Sequence, residues 1–157
     1  MKTKQILLFI GCLVLPLAIG GISGFATASG VKSWFLTIQK PSFNPPNWLF
    51  APVWTALYTL MGISFFLIVR SPKTLWRQRS ILIFLMQLTL NFLWSFLFFY
   101  FHEIGLALVD ILLLWVLILM MIAYFKQVNP TAAYLQIPYI FWVSFASVLN
   151  ASIWLLN

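Results

Sequence analysis

The stretch WFLTIQKPSFNPPNWLFAPVWTALYTLMG, residues 34–62, decides the fold because a proline-rich turn in it passes directly into a long apolar run. Prolines fix φ and bias the residue before them away from the helical region, so KPSFNPP (residues 40–46) predicts a stiff, non-helical segment. Trp48 stands where the apolar run begins, a usual place for an indole at a membrane interface. The stretch therefore predicts a loop over residues 29–48 that leads into a membrane-spanning helix.

Five long apolar runs follow one another along the chain, over residues 6–28, 49–69, 81–101, 104–125 and 132–156. Each matches the roughly 20 residues that a helix needs to cross about 30 Å of hydrocarbon. Because every backbone group in lipid must be paired within its own segment, the runs predict helices rather than open strands. The composition, 63% apolar and 7% charged, excludes an ordinary soluble protein. We therefore expect an all-α, polytopic membrane protein: one domain, residues 1–157, in which five transmembrane helices form a single bundle.

The formal charge of +7 indicates membrane orientation rather than a nucleic-acid site, because the basic residues lie at the ends of the spans and in loops. One side of the membrane carries Lys2, Lys4, Arg70, Lys73, Arg77, Arg79 and Lys126. The other side carries Lys32 and Lys40, with His102 and Glu103. By the positive-inside rule, this asymmetry predicts a bacterial inner-membrane protein with a cytoplasmic N-terminus and the proline-rich loop on the opposite face.

The first run also has features of a cleavable secretory signal. Lys2 and Lys4 precede it, and the sequence ATA at residues 26–28 resembles a small-residue cleavage site. The run from 6 to 28 is, however, longer than a signal core of about 7–15 residues. We therefore expect this run to be retained as a transmembrane helix.

Polar and aromatic side chains recur at helical spacing on single faces of three spans, where polar groups are costly and are candidates for function. The second span carries Trp54 and Tyr58, the third Gln87, Asn91, Trp94 and Ser95, and the fifth Tyr139, Trp142, Ala146 and Asn150. Much of the rest of the third span is covered by Leu82, Leu85, Phe92, Phe96 and Phe99. With Gly20, Gly21 and Ser23 of the first span, these faces would enclose an aromatic-lined cavity with a few hydrogen-bonding groups, as small-molecule sites usually have.

A plainer alternative is that these polar residues only hold the helices together. Asn and Gln in membrane spans often bond across helices, at about 0.6 kcal/mol each on average. For any one residue taken alone, this alternative is favoured. The joint pattern, taken together with the family resemblance described below, favours a pocket, in which Trp54 and Trp142 would form an aromatic clamp and Gln87 and Asn91 would be its polar contacts.

Two further features interrupt the apolar spans. Asp110 is an acid inside the fourth span, so we expect it to be protonated, paired or turned into the bundle, in a structural role. Gly20 and Gly24 form a small-xxx-small pair that lets another helix approach closely. We expect this pair to pack inside one subunit rather than in a dimer.

A set of different short motifs is distributed over nearly the whole chain. The first loop and second span contain Trp34, Lys40-Pro41-Ser42-Phe43, Pro45-Pro46, Pro52-Val53-Trp54-Thr55, Leu57-Tyr58 and Met61-Gly62. Later segments add Gln87-Leu88, Asn91, Trp94-Ser95, Ala107-Leu108, Asp110, Trp115, Pro138-Tyr139, Trp142, Phe145-Ala146, Leu149-Asn150, Trp154 and Asn157. This combination resembles the signature of the TspO/MBR family, the translocator proteins, also called tryptophan-rich sensory proteins or peripheral-type benzodiazepine receptors.

The resemblance implies a bundle of five transmembrane helices, often a homodimer, whose first loop closes over a cavity that binds porphyrins, notably protoporphyrin. Trp54 and Trp142 match the tryptophans that flank this cavity, and Asn91 matches a polar wall residue. Trp34 and Pro46 match the loop. Porphyrin would be a ligand rather than a resident cofactor. Some bacterial members are reported to degrade porphyrin in light with participation of tryptophan, which makes Trp54 and Trp142 the candidate catalytic residues.

Three functions are compatible with these residues and with the resemblance. The leading hypothesis is a membrane sensor or translocator that binds a tetrapyrrole. The alternatives are a light-dependent porphyrin-degrading enzyme that uses the same pocket and a purely structural helical membrane subunit. Cys12 is the one cysteine and His102, the one histidine, lies at the end of a span, so we predict no metal site and no resident cofactor. The predicted ligand-binding residues are Trp34, Pro46, Trp54, Tyr58, Gln87, Asn91, Trp94, Tyr139, Trp142, Ala146 and Asn150.

Overall fold

The computed structural model describes residues 3–157, without the side chains of Ala26 and Ser29, and every regular element in this part of the chain is a helix. Lys2, one of the basic residues counted above, lies outside it. The elements in chain order are α1 (Thr3–Lys32), α2 (Trp34–Thr37), a 3-10 turn (Asn47–Leu49), α3 (Phe50–Val69), α4 (Leu75–Phe99), α5 (Ile104–Val128), α6 (Pro130–Tyr134) and α7 (Ile137–Leu156). Over these described residues, five segments are long and apolar enough to cross a membrane. The prediction of an all-α membrane protein with five transmembrane helices is confirmed.

The long helices pack in the order α3, α1, α4, α5 and α7. α1 contacts both α3 and α4, α4 packs on α5, and α5 packs on α7. The short α6, which directly precedes α7 in the chain, contacts both α5 and α3. Because lipid tails are as apolar as leucine, van der Waals packing and interhelical hydrogen bonds hold such a bundle. Stacked rings lie in its core: the ring centroids of Phe65 and Phe84 are 4.2 Å apart, and those of Phe84 and Phe125 are 6.3 Å apart.

Two glycines let α1 approach α3 closely. A Cβ at Gly62 would lie 2.7 Å from the Cα of Leu13, so only a residue without a side chain fits there. A Cβ at Gly20 would overlap the ring of Tyr58, whereas one at Gly24 would meet no described atom within 4 Å. The internal packing predicted for Gly20 and Gly24 is therefore found at Gly20, while Gly24 borders open space.

The first connection is shorter than the loop predicted over residues 29–48. α1 continues to Lys32 and α2 adds another helical turn, so the non-helical part runs only from 38 to 46. The reason is that each proline restricts its own φ and the residue before it, and leaves residues 29–37 free to be helical. The predicted loop is wrong for its first half.

Hydrogen bonds fasten the remaining loop to one end of the bundle. Gln39 N donates to Asn157 Oδ1 and Asn157 Nδ2 donates to Gln39 O, both at 3.0 Å. Lys40 Nζ donates to Phe35 O at 2.6 Å and to Ile38 O at 3.0 Å. The loop and the C-terminal residue therefore lie at the same end of the bundle.

Two other boundaries differ from the predicted spans for local reasons. The helix predicted over residues 132–156 is divided into α6 and α7, because Pro138 has no N–H to donate to the carbonyl four residues earlier. α4 begins at Leu75, ahead of its apolar run, because Thr74 caps its N-terminus. Arg77 N donates to Thr74 Oγ1 at 3.1 Å. The first turns of α4 are therefore helical, although they carry charged residues and lie outside the apolar run.

Candidate functional site

A cavity of about 730 Å³ opens between α1, α3 and α4. Its size lies within the range of about 300–1,000 Å³ that is usual for small-molecule sites. α1 contributes Gly20, Gly21 and Gly24, so part of the space exists because this helix lacks side chains there. The other lining residues are Leu17, Ser23, Thr27, Ala28, Val31, Lys32, Leu36, Asn47, Trp48, Phe50, Ala51, Trp54, Thr55, Tyr58, Trp94, Ser95 and Phe99.

Aromatic rings form much of the cavity wall on α3 and α4. Trp54 is stacked on Tyr58, with ring centroids 5.5 Å apart and planes at 29°. Trp94 is stacked on Phe98 at 5.4 Å and meets Phe99 edge-on at 5.9 Å. Rings pack well in offset-stacked or edge-to-face arrangements, so such a wall suits a flat aromatic ligand.

A second and much narrower space, here called the cleft, lies on the α7 side of these rings. Trp142, Ala146 and Asn150 line the cleft. Its volume is about 20 Å³, which is room for about one water molecule. Four rings line both spaces and separate the cavity from the cleft: Phe50, Trp54, Trp94 and Phe99. These four rings are called the partition. Some of the predicted site residues thus line the cavity, and others line the narrow cleft.

Gln87 and Asn91 take part in a buried chain of hydrogen bonds and are not among the residues that line the described cavity. Tyr58 OH donates to Asn91 Oδ1. Asn91 Nδ2 donates to Tyr139 OH, and Tyr139 OH donates to Gln87 Oε1, both at 2.9 Å. The chain ties α3, α4 and α7 together, which is the plainer role of polar residues between membrane helices. Of the four residues, Tyr58 also borders the cavity.

Trp94 and Asn150 form a second contact between helices. Trp94 Nε1 donates to Asn150 Oδ1, and Asn150 Nδ2 donates to Ile104 O, both at 3.0 Å. These bonds join α4 to α7 and to the start of α5, and they hold the Trp94 ring in the partition. Asn150 therefore supports the cavity wall from the cleft side.

The two predicted loop residues, Trp34 and Pro46, lie near the cavity and are not among its described lining residues. The Trp34 ring is stacked on His102, with centroids 4.3 Å apart. Pro46 is exposed and precedes the 3-10 turn, whose Asn47 and Trp48 do line the cavity. Trp48 is 71% exposed, as expected of an interface anchor, and it also forms part of the cavity mouth.

Most of the lining residues were not predicted from the sequence, and Thr27, Lys32 and Phe99 are among them. Phe99, which was expected on the remaining surface of the third span, is 5% exposed and borders both the cavity and the cleft. Its spacing, four residues after Ser95 and eight after Asn91, was the signal that places it on the inner face. Lys32 was interpreted only as an indicator of orientation.

Several buried polar atoms have no hydrogen-bond partner among residues 3–157. They include Ser23 Oγ, Gln87 Nε2, Asp110 Oδ2 and Trp142 Nε1. Asp110 is 7% exposed, so it is turned into the bundle, one of the three states expected for it. Ser23 borders the cavity and Trp142 borders the cleft, where a ligand or a water can supply a partner. Within the same described range there is no group of three His, Cys, Asp or Glu side chains that could hold a metal ion.

Comparison with known proteins places the chain in a family. A sequence profile of the TspO/MBR family matches residues 12–155. The chain is 40% identical over 154 residues to the tryptophan-rich protein TspO of Archaeoglobus fulgidus, and the match covers 98% of this chain and 99% of that protein. It is 35% identical over 149 residues to the translocator protein of Bos taurus (92% and 87% covered). It is 30% identical over 124 residues to the tryptophan-rich sensory protein of Cereibacter sphaeroides (79% and 77% covered). These matches confirm the resemblance carried by the sequence motifs, and the chain belongs to the TspO/MBR family.

Proposed function

We propose that this protein is a sensor or translocator that binds a tetrapyrrole within the membrane. The observation that carries the proposal is the cavity between α1, α3 and α4, whose volume of about 730 Å³ and aromatic wall suit a large flat ligand. Two relatives carry the names translocator protein and tryptophan-rich sensory protein, which agree with this class of function.

The macrocycle would enter past Trp48 and come to lie against Trp54. Trp48 is exposed at the mouth, and Trp54 is half-buried within the partition. Each stacked or edge-on ring contact is worth about 0.5–1.5 kcal/mol beyond the apolar area that it buries. A ligand held in this way touches α1, α3, α4 and the 3-10 turn together, so its binding would couple the loop to the bundle.

A light-dependent porphyrin-degrading enzyme is the second candidate, and the position of Trp54 favours it. The Trp54 ring borders the cavity and meets Trp142 edge-on, with ring centroids 6.5 Å apart. A bound porphyrin would therefore have one oxidisable indole beside it and a second behind the first. This arrangement keeps Trp54 and Trp142 as the candidate catalytic residues.

We place the protein in a bacterial inner membrane with its N-terminus in the cytoplasm. The basic start of α4 supports this orientation, because Trp76 is 44% exposed and the Arg79 guanidinium lies 5.6 Å from its ring centroid. An exposed indole beside cationic groups suits the anionic surface of the cytoplasmic leaflet. We also propose a homodimer, and only the family resemblance supports it. Gly20 could have marked a dimer interface, but it packs on Tyr58 of the same subunit.

Titration of protoporphyrin into the protein in nanodiscs, with empty nanodiscs as the control, tests the proposal. A tetrapyrrole-binding protein is expected to show saturable quenching of tryptophan fluorescence and a shifted porphyrin absorption band. Repeating the titration in the dark and under illumination separates the two candidates. Constant absorbance in light supports the sensor or translocator, and a loss of absorbance that requires the protein supports the enzyme. If no saturable binding occurs, a structural membrane subunit becomes the better account.

A further inference from the structure

Two aromatic rings join α4 to α5 at the end of the bundle that carries the connection between α3 and α4. Trp76 lies in the first turn of α4 and meets Tyr124, near the end of α5, with ring centroids 5.8 Å apart. The Arg79 guanidinium lies 5.6 Å from the centroid of the exposed Trp76 ring. An arginine, an indole and a phenol are therefore gathered where these two helices leave the membrane.

The fold gives the Arg79 guanidinium no anionic partner. Within the described part of the chain it makes no hydrogen bond or ion pair. Arg77 differs, because its Nε and Nη2 donate to the carbonyl that ends α3, at 3.1 and 2.7 Å. The two acids of the chain are Glu103, which precedes α5, and Asp110, in the first two turns of α5. Both lie toward the opposite end of α5, so an anion that binds Arg79 has to come from outside the chain.

An exposed apolar strip continues from these residues along α4 and α5. Met86 follows Arg79 by seven residues, on the same face of α4, and is 45% exposed. Met120 and Leu113 precede Tyr124 by four and eleven residues, on the same face of α5, and both are exposed. The contact between Trp76 and Tyr124 shows that these two faces meet. A cation at the head of an apolar strip suits a molecule with an anionic head and hydrocarbon chains.

We propose that this corner of the bundle binds one anionic phospholipid, whose phosphate pairs with Arg79 and whose acyl chains lie along the apolar strip. Arginine suits a phosphate because its planar guanidinium presents N–H donors in a fixed fork. The hydroxyl of Tyr124 is a further donor at the same place. The site lies at the opposite end of the bundle from the mouth of the cavity, and it goes beyond the proposed function.

A general attraction of basic residues to an anionic membrane makes a different prediction. In that case each exposed cation at this end contributes a similar amount, about 1 kcal/mol. Lys126 separates the two accounts because it is exposed at the same end of α5. It follows Tyr124 by two residues, which places it on the other side of this helix. A specific lipid site depends on Arg79 and not on Lys126.

The test counts the lipids bound to the detergent-solubilised protein by native mass spectrometry, using phosphatidylglycerol and phosphatidylcholine with the same acyl chains. The unmodified protein is expected to bind one phosphatidylglycerol about tenfold more tightly than phosphatidylcholine, as one hydrogen bond to a charged group allows. Arg79→Gln should lower the affinity for phosphatidylglycerol to that for phosphatidylcholine and leave the latter unchanged. Lys126→Gln removes the same charge from the same end and is the matched control, which should keep the full preference.

Thermal unfolding provides a second measurement on the same variants. A ligand stabilises the folded state that it binds, so phosphatidylglycerol is expected to raise the unfolding temperature of the unmodified protein and of Lys126→Gln. It should not do so for Arg79→Gln. An equal rise in all three proteins would contradict the proposal.

Four outcomes of the lipid titrations also overturn it. Equal affinity of the unmodified protein for the two lipids shows that the charge of the headgroup is not recognised. Equal losses in Arg79→Gln and Lys126→Gln assign the preference to general attraction. An unchanged preference in Arg79→Gln places the lipid elsewhere. Displacement of phosphatidylglycerol by inorganic phosphate, but not by chloride at the same ionic strength, assigns Arg79 to free anions. Each of these outcomes leaves the proposed function standing, because porphyrin binding is measured separately.

Discussion

The indole of Trp34 lies on the imidazole of His102, with ring centroids 4.3 Å apart and planes inclined at 20°. This stack joins α2, at the start of the first connection, to the turn between α4 and α5. His102 has a φ of 60°, in the left-handed region that residues other than glycine rarely adopt. The turn thus uses an uncommon backbone conformation at the residue that meets Trp34. Trp34 can therefore affect the cavity through the position of the loop.

Trp34→Ala tests this indirect role. The stack is worth about 0.5–1.5 kcal/mol, so its loss is expected to speed amide hydrogen exchange in residues 38–46 and to weaken porphyrin binding by up to about tenfold. Hydrogen-exchange mass spectrometry and fluorescence titration measure the two effects. Trp76→Ala, at the opposite end of the bundle, is the control. Weaker binding with unchanged exchange would mean that Trp34 touches the ligand itself.

The buried hydrogen-bond chain predicts an unequal pair of tyrosine variants. Tyr139→Phe leaves both Asn91 Nδ2 and Gln87 Oε1 without their present partner, whereas Tyr58→Phe affects only Asn91 Oδ1. An orphaned buried polar group costs about 1–3 kcal/mol, so Tyr139→Phe is expected to reduce the free energy of unfolding by this amount or more, and Tyr58→Phe by less. Reversible unfolding in mixed micelles measures both losses. Equal losses of unfolding free energy in the two variants would contradict the arrangement of these hydrogen bonds.

The number of helices, and the face of each helix that is turned into the bundle, could be predicted because both depend on local properties of the sequence. Apolar length sets the number of spans, and helical spacing places Gln87, Asn91 and Trp94 on one face, where all three are buried. Which of them lines a cavity depends on the rotation of α4 against its neighbours, and the sequence of one helix does not contain that rotation. Tyr139 on α7 lies within hydrogen-bonding distance of Gln87 and Asn91, so those amides are used inside the bundle.

The position of the cavity could not be predicted for a related reason. Part of the space lies along Gly20, Gly21 and Gly24, and a residue with no side chain gives no sign of whether a neighbouring helix fills the space beside it. At Gly20 the ring of Tyr58 fills it, and at Gly24 it stays open. Trp142, expected in an aromatic clamp, lies instead at the narrow cleft on the α7 side of Trp54.

The partition predicts different effects at the two central tryptophans. Trp54→Leu is expected to weaken porphyrin binding about tenfold because it removes a ring from the cavity wall, and Trp142→Leu to leave the affinity within about threefold. Fluorescence titration in nanodiscs measures both affinities, and Trp115→Leu is a control, since its indole donates to Ser144 Oγ at 2.8 Å away from the cavity.

Equal, large losses at Trp54 and Trp142 would instead support the clamp predicted from the sequence. A Trp142→Leu variant that keeps its affinity for porphyrin but no longer bleaches it in light would favour the enzyme over the sensor.

Membrane orientation can be tested with single cysteines in a Cys12→Ser background. Ser42→Cys lies in the exposed proline-rich loop, and Lys73→Cys lies in the exposed basic connection between α3 and α4. The asymmetry of basic residues predicts that an impermeant thiol reagent labels position 42 in intact cells and position 73 only after lysis. Labelling of position 73 in intact cells would reverse the orientation.

The close approach of α1 to α3 predicts opposite effects for two Gly→Ala changes. At Gly62 the new Cβ would lie 2.7 Å from Leu13 Cα and 3.1 Å from Cys12 O, so the backbone of α1 has to move. Overpacking of this kind costs about 1–3 kcal/mol, more than the gain of about 1 kcal/mol in helix propensity, and Gly62→Ala is expected to lower the unfolding temperature. Gly24→Ala gains the same propensity beside open space and is expected to raise it. Thermal unfolding in detergent measures both variants. If the unfolding temperatures of the two variants shift in the same direction, α1 can separate from α3 without cost, and this contact does not maintain the shape of the cavity.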